Sequence, residues 1–228
     1  MKTNSALCSL LLLALGLAPA RALVETHPFN ALNLDIPDGS PSGLANVQNF
    51  ATVIGLITDV DLHFHLVGRP DADTRAFNGD IYAYLTHGSG FSVLLNRPGR
   101  RLTSFFGYDD DGLDILLDDA AVNGDVHAYR NVTTPAPGSP LTGAWRPDGR
   151  TADPNLVLNT NPASAFLSSF NGLDAAGDWT LFVADLSTGE EQRLADWSLT
   201  ITGSVPEPGA GALLLAGGLL LGRTRRRH

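Results

Sequence analysis

Cysteine is almost missing from this chain: among 228 residues the only thiol is Cys8. A fold built on disulfides is thereby excluded, and a hydrophobic core has to hold the domain unaided. Lysine is equally scarce, with Lys2 alone, and Met1 is the sole methionine. Between residues 23 and 204 the basic residues number nine, all arginine, against 23 acidic ones, a formal charge of −14. Such a balance argues against nucleic acid and anionic lipid as partners. Helical periodicity is lacking too, since no stretch of a dozen residues outside the two ends shows apolar side chains at helical spacing. The serine-protease signatures are missing: there is no Gly-x-Ser-x-Gly elbow and no Gly-Thr-Ser segment. Ser89, in Gly88-Ser89-Gly90, reads as a turn residue.

What is present is most distinctive at the two ends. Lys2, the apolar run Leu7 to Leu17 and the small-x-small triplet Ala20-Arg21-Ala22 have the layout of a signal peptide. Cleavage after Ala22 starts the mature chain at Leu23. Cys8 follows Leu7 at the start of the apolar run, whereas a lipid-bearing cysteine would end that run. At the other end Val205-Pro206-Glu207-Pro208 is followed by an apolar run from Gly209 to Gly222 and then by Arg223, Arg225, Arg226 and Arg227. Pro206 and Pro208 remove two backbone donors and keep the segment extended. The 14-residue run rises about 21 Å, short of the roughly 30 Å hydrocarbon core, and snorkelling arginines extend it. The arginines are expected to stay cytoplasmic, which leaves everything before Pro206 outside.

This tail resembles the PEP-CTERM sorting signal of Gram-negative bacteria, with Pro206, Glu207 and Pro208 as its motif. The resemblance implies handling by signal peptidase and exosortase, a transient inner-membrane anchor through a short C-terminal transmembrane helix, and release to the cell surface or beyond. It gives an address and no activity.

The interior reads as short strands between turns. Val60, Leu62, Phe64 and Leu66 alternate with Asp61, His63 and His65, the period-two pattern of a half-buried strand. Ile81 to Leu85 and Phe91 to Leu95 form a predicted hairpin across Gly88-Ser89-Gly90. Trp179, Leu181 and Val183 alternate with Thr180, Phe182 and Ala184, and Trp197, Leu199 and Ile201 with Ser198, Thr200 and Thr202. Residues 131–164, with six prolines, read as a long loop across one end of the fold. The expectation is an all-β, antiparallel, jelly-roll-like sandwich. It divides the chain into a signal peptide (1–22), an N-terminal lead-in (23–49), the sandwich (50–203) and the sorting tail (204–228).

Several blocks, in order, resemble the P domain (Homo B domain) of proprotein convertases and subtilisin-like proteases. They are Gly79-Asp80-Ile81 with Leu85 and Val93-Leu94-Leu95, then Leu117-Asp118-Asp119-Ala120-Ala121, then Gly143-Ala144-Trp145-Arg146-Pro147. Phe170-Asn171-Gly172 with Gly177-Asp178-Trp179-Thr180-Leu181 follows, and Asp185, Leu194 and Trp197-Ser198-Leu199 close the series. The likeness covers roughly residues 50–203. His87-Gly88-Ser89-Gly90 stands where the family has Pro-x-Gly-Thr, and about a dozen residues, Gly68 to Asn78, replace a short turn. The resemblance implies a jelly roll with no catalytic residue, since the family's P domain holds none. It also implies that a protease is one conceivable partner and that any peptidase label would come by association.

Three constellations are candidates for chemistry. Asp59, Asp61, His63 and His65 share one face of one strand; two histidines at i and i+2 can share a zinc ion, or the group is simply the solvated face. Asp109, Asp111, Asp114, Asp118 and Asp119 form, with Asp110, the densest acidic run. Such aspartates near a glycine suit calcium, although the EF-hand pattern is absent, and they equally suit a turn. P domains often hold structural calcium, so Ca²⁺ is the one cofactor the resemblance implies, and calcium would let so acidic a domain bridge to acidic exopolysaccharide. Of the tryptophans, Trp179 and Trp197 are in phase with the core, and Trp145 is the candidate for an exposed contact. The functional expectation is a non-catalytic module of the cell surface or matrix. The alternatives are an accessory domain of a subtilisin-like protease and a carbohydrate-binding jelly roll.

Overall fold

The computed structural model describes residues 22–70 and 75–205. Ala20, the sorting motif Pro206-Glu207-Pro208, the apolar run and the arginines lie outside these residues, and Ala22 is the first residue of the first strand. No helix among the described residues is long and apolar enough to cross a membrane.

Ten strands form two sheets: β1 (Ala22–Phe29), β2 (Leu34–Asp35), β3 (Leu44–Phe50), β4 (Leu56–Gly68), β5 (Ile81–His87), β6 (Gly90–Asn96), β7 (Leu113–Leu117), β8 (Leu141–Trp145), β9 (Gly177–Asp185) and β10 (Gln192–Ser204). The first sheet has the order β1-β10-β4-β7-β8, with β2 pairing the start of β10; the second has the order β3-β9-β5-β6. The predicted alternation holds along the central strands. Val60, Leu62, Phe64 and Leu66 of β4 and Trp197, Leu199 and Ile201 of β10 face Ile81, Ala83 and Leu85 of β5 and Trp179, Leu181 and Val183 of β9 in one core. The predicted hairpin joins β5 to β6, with Gly88 at φ +55° in the two-residue turn between His87 and Gly90.

The structure departs from the sequence reading in four places. First, the sandwich is not antiparallel throughout, because β7 and β8 pair parallel from Leu113↔Leu141 to Leu117↔Trp145. Parallel neighbours need a long crossover, and residues 118–140 supply it with a short 3-10 helix at Val126–Asn131. Second, β8 falls inside the stretch read as a loop, which ordered backbone bonds also tie down. The backbone from Asp148 to Ala165 bonds to Val93 and Leu94 and so covers the outer edge of β6.

Third, Trp145 is not exposed; at 1% exposure it packs in the core against Tyr129 and donates Nε1–H to the Thr142 carbonyl at 2.9 Å. Its place at the end of β8 turns it inward. Fourth, residues 23–49 are part of the sandwich: β1 pairs β10 along its whole length, and β3 pairs β9. Half of their inward positions, Glu25, His27, Asn46 and Gln48, carry polar side chains, which hides the strand pattern. Glu25 accepts a bond from Thr52 Oγ1 at 2.7 Å, His27 stacks on Phe50 at 3.8 Å, and Asn46 accepts the Trp197 Nε1–H at 2.9 Å.

The registers also orient the molecule. Ala22 pairs with Ser204, so the first and last described strands meet side by side at one end of the sandwich. From there β10 extends about 40 Å. At the opposite end lie the turn between β9 and β10, the start of β5, and the loops leaving β4 and β6.

Candidate functional site

The outer face of the first sheet carries the histidines of β4. His63 Nε2 lies 2.7 Å from Asp114 Oδ1 on β7, and its Nδ1 lies 3.6 Å from Asp196 Oδ1 on β10. His65 Nδ1 lies 2.9 Å from Asp196 Oδ2. Asp196 reaches this face through a bulge: the register steps from Leu194↔Leu66 to Asp196↔His65, which leaves Ala195 as the extra residue. Without the bulge, strict alternation would turn Asp196 inward. Further along β4, Asp61 stands beside Asp59, Asp118 and Asp119. Desolvation, then the charge of Asp59 and of the other two, pushes its carboxyl from the ordinary 3.8 up to about 6. Burial first and Asp118 second raise Asp59 as well.

The acidic run predicted for calcium is dispersed. Asp109 bonds Arg130 Nη2 at 2.6 Å, which holds its carboxyl below the usual range. Asp111 accepts the Gly138 N–H, and Asp114 is taken by His63. Asp118 accepts the Ala120 N–H in a tight turn, and Asp119 accepts from Leu167 and Ser168 at the start of the 3-10 helix Leu167–Phe170. No group of three or more His, Cys, Asp or Glu among the described residues is arranged to hold a metal ion.

Two blocks from the sequence do converge. The pairing Ile81↔Asp185 brings Asp80 next to Asp185 at the end distant from the termini. Arg97, itself at φ +52°, reaches Asp80 at 3.4 Å, the Gly79 carbonyl at 3.0 Å and Ser187 Oγ at 3.0 Å. Asp185 is fully buried with Oδ2 unpartnered, and burial is the main cause of its carboxyl rising to about 7. The cluster pins the turn between β9 and β10 to β5. A second buried network joins His127, Asp148, Arg150 and Asp125 under the loop that covers β6.

Histidines placed like these do not form a nucleophile–base pair. His87 presents its two ring nitrogens to the Asp178 and Asp174 carbonyls and stacks on Trp179 at 4.1 Å. His127 is held between Asp148 and the Arg100 carbonyl. Among the described residues no serine or threonine hydroxyl is hydrogen-bonded to a histidine.

The feature that sequence reasoning missed is on the outer face of the second sheet. Tyr82 and Tyr84 of β5, Phe182 of β9 and Phe91 of β6 form a continuous aromatic strip. Tyr84 stacks on Phe182 at 4.7 Å and 14°, and tilts against Tyr82 and Phe91 at 5.9 and 5.5 Å. Beside Tyr82, Tyr84 and Phe182 opens a cleft of about 520 Å³, walled by Pro41 and by Asp153, Pro154 and Asn155. A second cleft of about 370 Å³ lies between Asp80, Phe77 and Phe106. Near it the loop between β6 and β7 exposes Leu102, Phe105 and Phe106. Both clefts and this loop sit at the end far from Ala22 and Ser204. The signal was available: large aromatics at the solvent positions of alternating strands.

No family model matches the chain, and no curated protein does. Among solved structures it is similar to the serine protease of Aeromonas sobria, alone and in complex with the chaperone (ORF2). The identity is 15% and the TM-scores are 0.40 and 0.41, over 82% of this chain. The chain spans little more than a quarter of those chains, 28% and 27% respectively.

Proposed function

We propose that the protein is an exported, non-catalytic β-sandwich module of the cell surface or extracellular matrix, delivered on a temporary membrane anchor. The observation that carries this reading is polarity. Ala22 and Ser204 pair at one end, so a leader and a sorting tail both leave from there, while the clefts and the exposed apolar loop occupy the other end. A module tethered at one end and bare at the other is suited to display.

An accessory role beside a subtilisin-like protease is the second reading. It is favoured by the meeting of Gly79-Asp80 with Asp185 around Arg97, the blocks that resemble a P domain.

One fractionation experiment addresses both. In cells lacking exosortase the full-length chain is expected to remain in the inner-membrane fraction, and with the enzyme restored it should shift to the surface or medium in a shorter form. An unchanged distribution would remove the sorting reading. Gel filtration of the released form should show it free of protease; co-elution with a serine protease would favour the accessory role.

A further inference from the structure

From the aromatic strip and its cleft we infer a binding site for an uncharged polysaccharide, a proposal that rests on the module reading and names its ligand. The floor is apolar and preorganised, because mutual stacking of Tyr84 and Phe182 and the tilt of Tyr82 fix the rings before any ligand arrives. The rim is polar and uncommitted. Tyr82 and Tyr84 hydroxyls make no hydrogen bond to the described residues, and neither does the Asn155 side-chain amide. Asp153 uses one oxygen for the Asn155 N–H at 2.8 Å, and its other oxygen makes no hydrogen bond to the described residues. An apolar floor edged with unspent donors and acceptors complements a sugar ring, which has C–H faces and a girdle of hydroxyls.

Charge narrows the ligand further. No lysine or arginine lines the cleft, Asp153 contributes a carboxylate, and the domain carries −14 between residues 23 and 204. Anionic chains are therefore repelled. A polyproline peptide would also fit aromatic ridges, but it has no N–H to give to the Asp153 side chain. A saccharide hydroxyl can donate to it. Phe91 continues the strip beyond the cleft, which gives a chain of sugars room to run past a single subsite.

The test is native electrophoresis of the full-length chain in mild detergent, through gels cast with galactomannan, hydroxyethylcellulose, dextran or alginate. Retardation is expected in at least one neutral gel and not in alginate. Removing the stacked ring with Tyr84→Ala should weaken binding about five- to tenfold. Since that variant can also loosen the sheet, Asn155→Ala is the second probe; Asn155 is exposed, its amide bonds none of the described residues, and the variant should weaken binding at an unchanged Tm. Phe106→Ala, at the same end but outside this cleft, should bind as the parent does. Absence of retardation in every neutral gel, retardation by alginate alone, or equal retardation of Tyr84→Ala, Asn155→Ala and the parent would overturn the proposal. So would displacement from the neutral gel by a proline-rich peptide with no effect of a soluble oligosaccharide. Sorting is not read in this assay, so a failure here leaves the surface-module reading standing, and a failed fractionation leaves this site standing.

Discussion

Asp61 faces outward from the middle of β4, opposite Thr200 on one side and next to the turn that holds Asp118 and Asp119 on the other. One of its oxygens is shut off from water and has no partner. With its carboxyl raised from 3.8 to about 6, the folded state keeps a proton that the unfolded state has already released. Stability contributed by the protonated form is therefore present below about pH 4 and lost as pH rises through 6. Asp61→Asn removes that loss. Its Tm should exceed the parent's by about 2–4 °C at pH 8, roughly 1 kcal/mol after allowing for solvent screening at this half-exposed position, with no advantage at pH 4. A gain that is equal at both pH values would show that Asp61 is not the titrating group. The alternation of β4 makes Asp61 an outward residue in the sequence itself. Its neighbours Asp118 and Asp119 come from a segment nearly 60 residues later, and that proximity is not written locally.

At the scale of the element, Asp119 illustrates how an acidic run can be structural. Its two oxygens accept from Leu167 and Ser168 at 3.0 and 2.8 Å and so cap a one-turn helix whose Phe170 packs against Trp179. Asp119→Ala should cost about 1–2 kcal/mol. The loss, measured by thermal melting, should be the same in millimolar calcium and in chelator; a loss seen only with calcium present would return Asp119 to a metal site. The elements also differ in how readable they are. β4, β5, β9 and β10 alternate cleanly because they run through the middle of the sheets with one face on the core. β1 and β3 sit at the open edge, where Glu25, His27, Asn46 and Gln48 turn inward: Glu25 accepts from Thr52 in the segment after β3, Asn46 accepts from Gln48 beside it and from Trp197 of β10, and His27 lies 3.3 Å from Glu25 on its own strand. Polar inward positions defeat a hydrophobic pattern, so these strands become visible only once their partners are in place. Pro28 is tolerated in β1 because that strand is at the edge of its sheet, with no neighbour on its outer side among the described residues.

For the whole molecule the consequence is direction. If the tail holds the sandwich on a membrane, the end with Ala22 and Ser204 faces the lipid and the end with the aromatic cleft stands about 40 Å away. Because no cysteine lies between residues 22 and 205, a single fluorophore can be placed at will. With residues 23–228, which lack Cys8, reconstituted in vesicles, a label at Val24→Cys should be quenched by nitroxide at the lipid headgroups and one at Leu102→Cys should not. Equal quenching at both positions would contradict the polarity on which the proposed display role depends.

The sequence by itself determined the all-β class, the main core strands and the β5–β6 hairpin, because each rests on local rules: side chains alternate along a strand, and a glycine opens a tight turn. Only the tertiary structure decided where polar side chains meet. The bulge at Ala195 turns Asp196 toward His63 and His65, the crossover makes β8 parallel to β7 and buries Trp145, and the loop from 146 to 165 walls the aromatic cleft. Each of these depends on contacts between residues far apart in the chain, whose energies no local window of sequence contains.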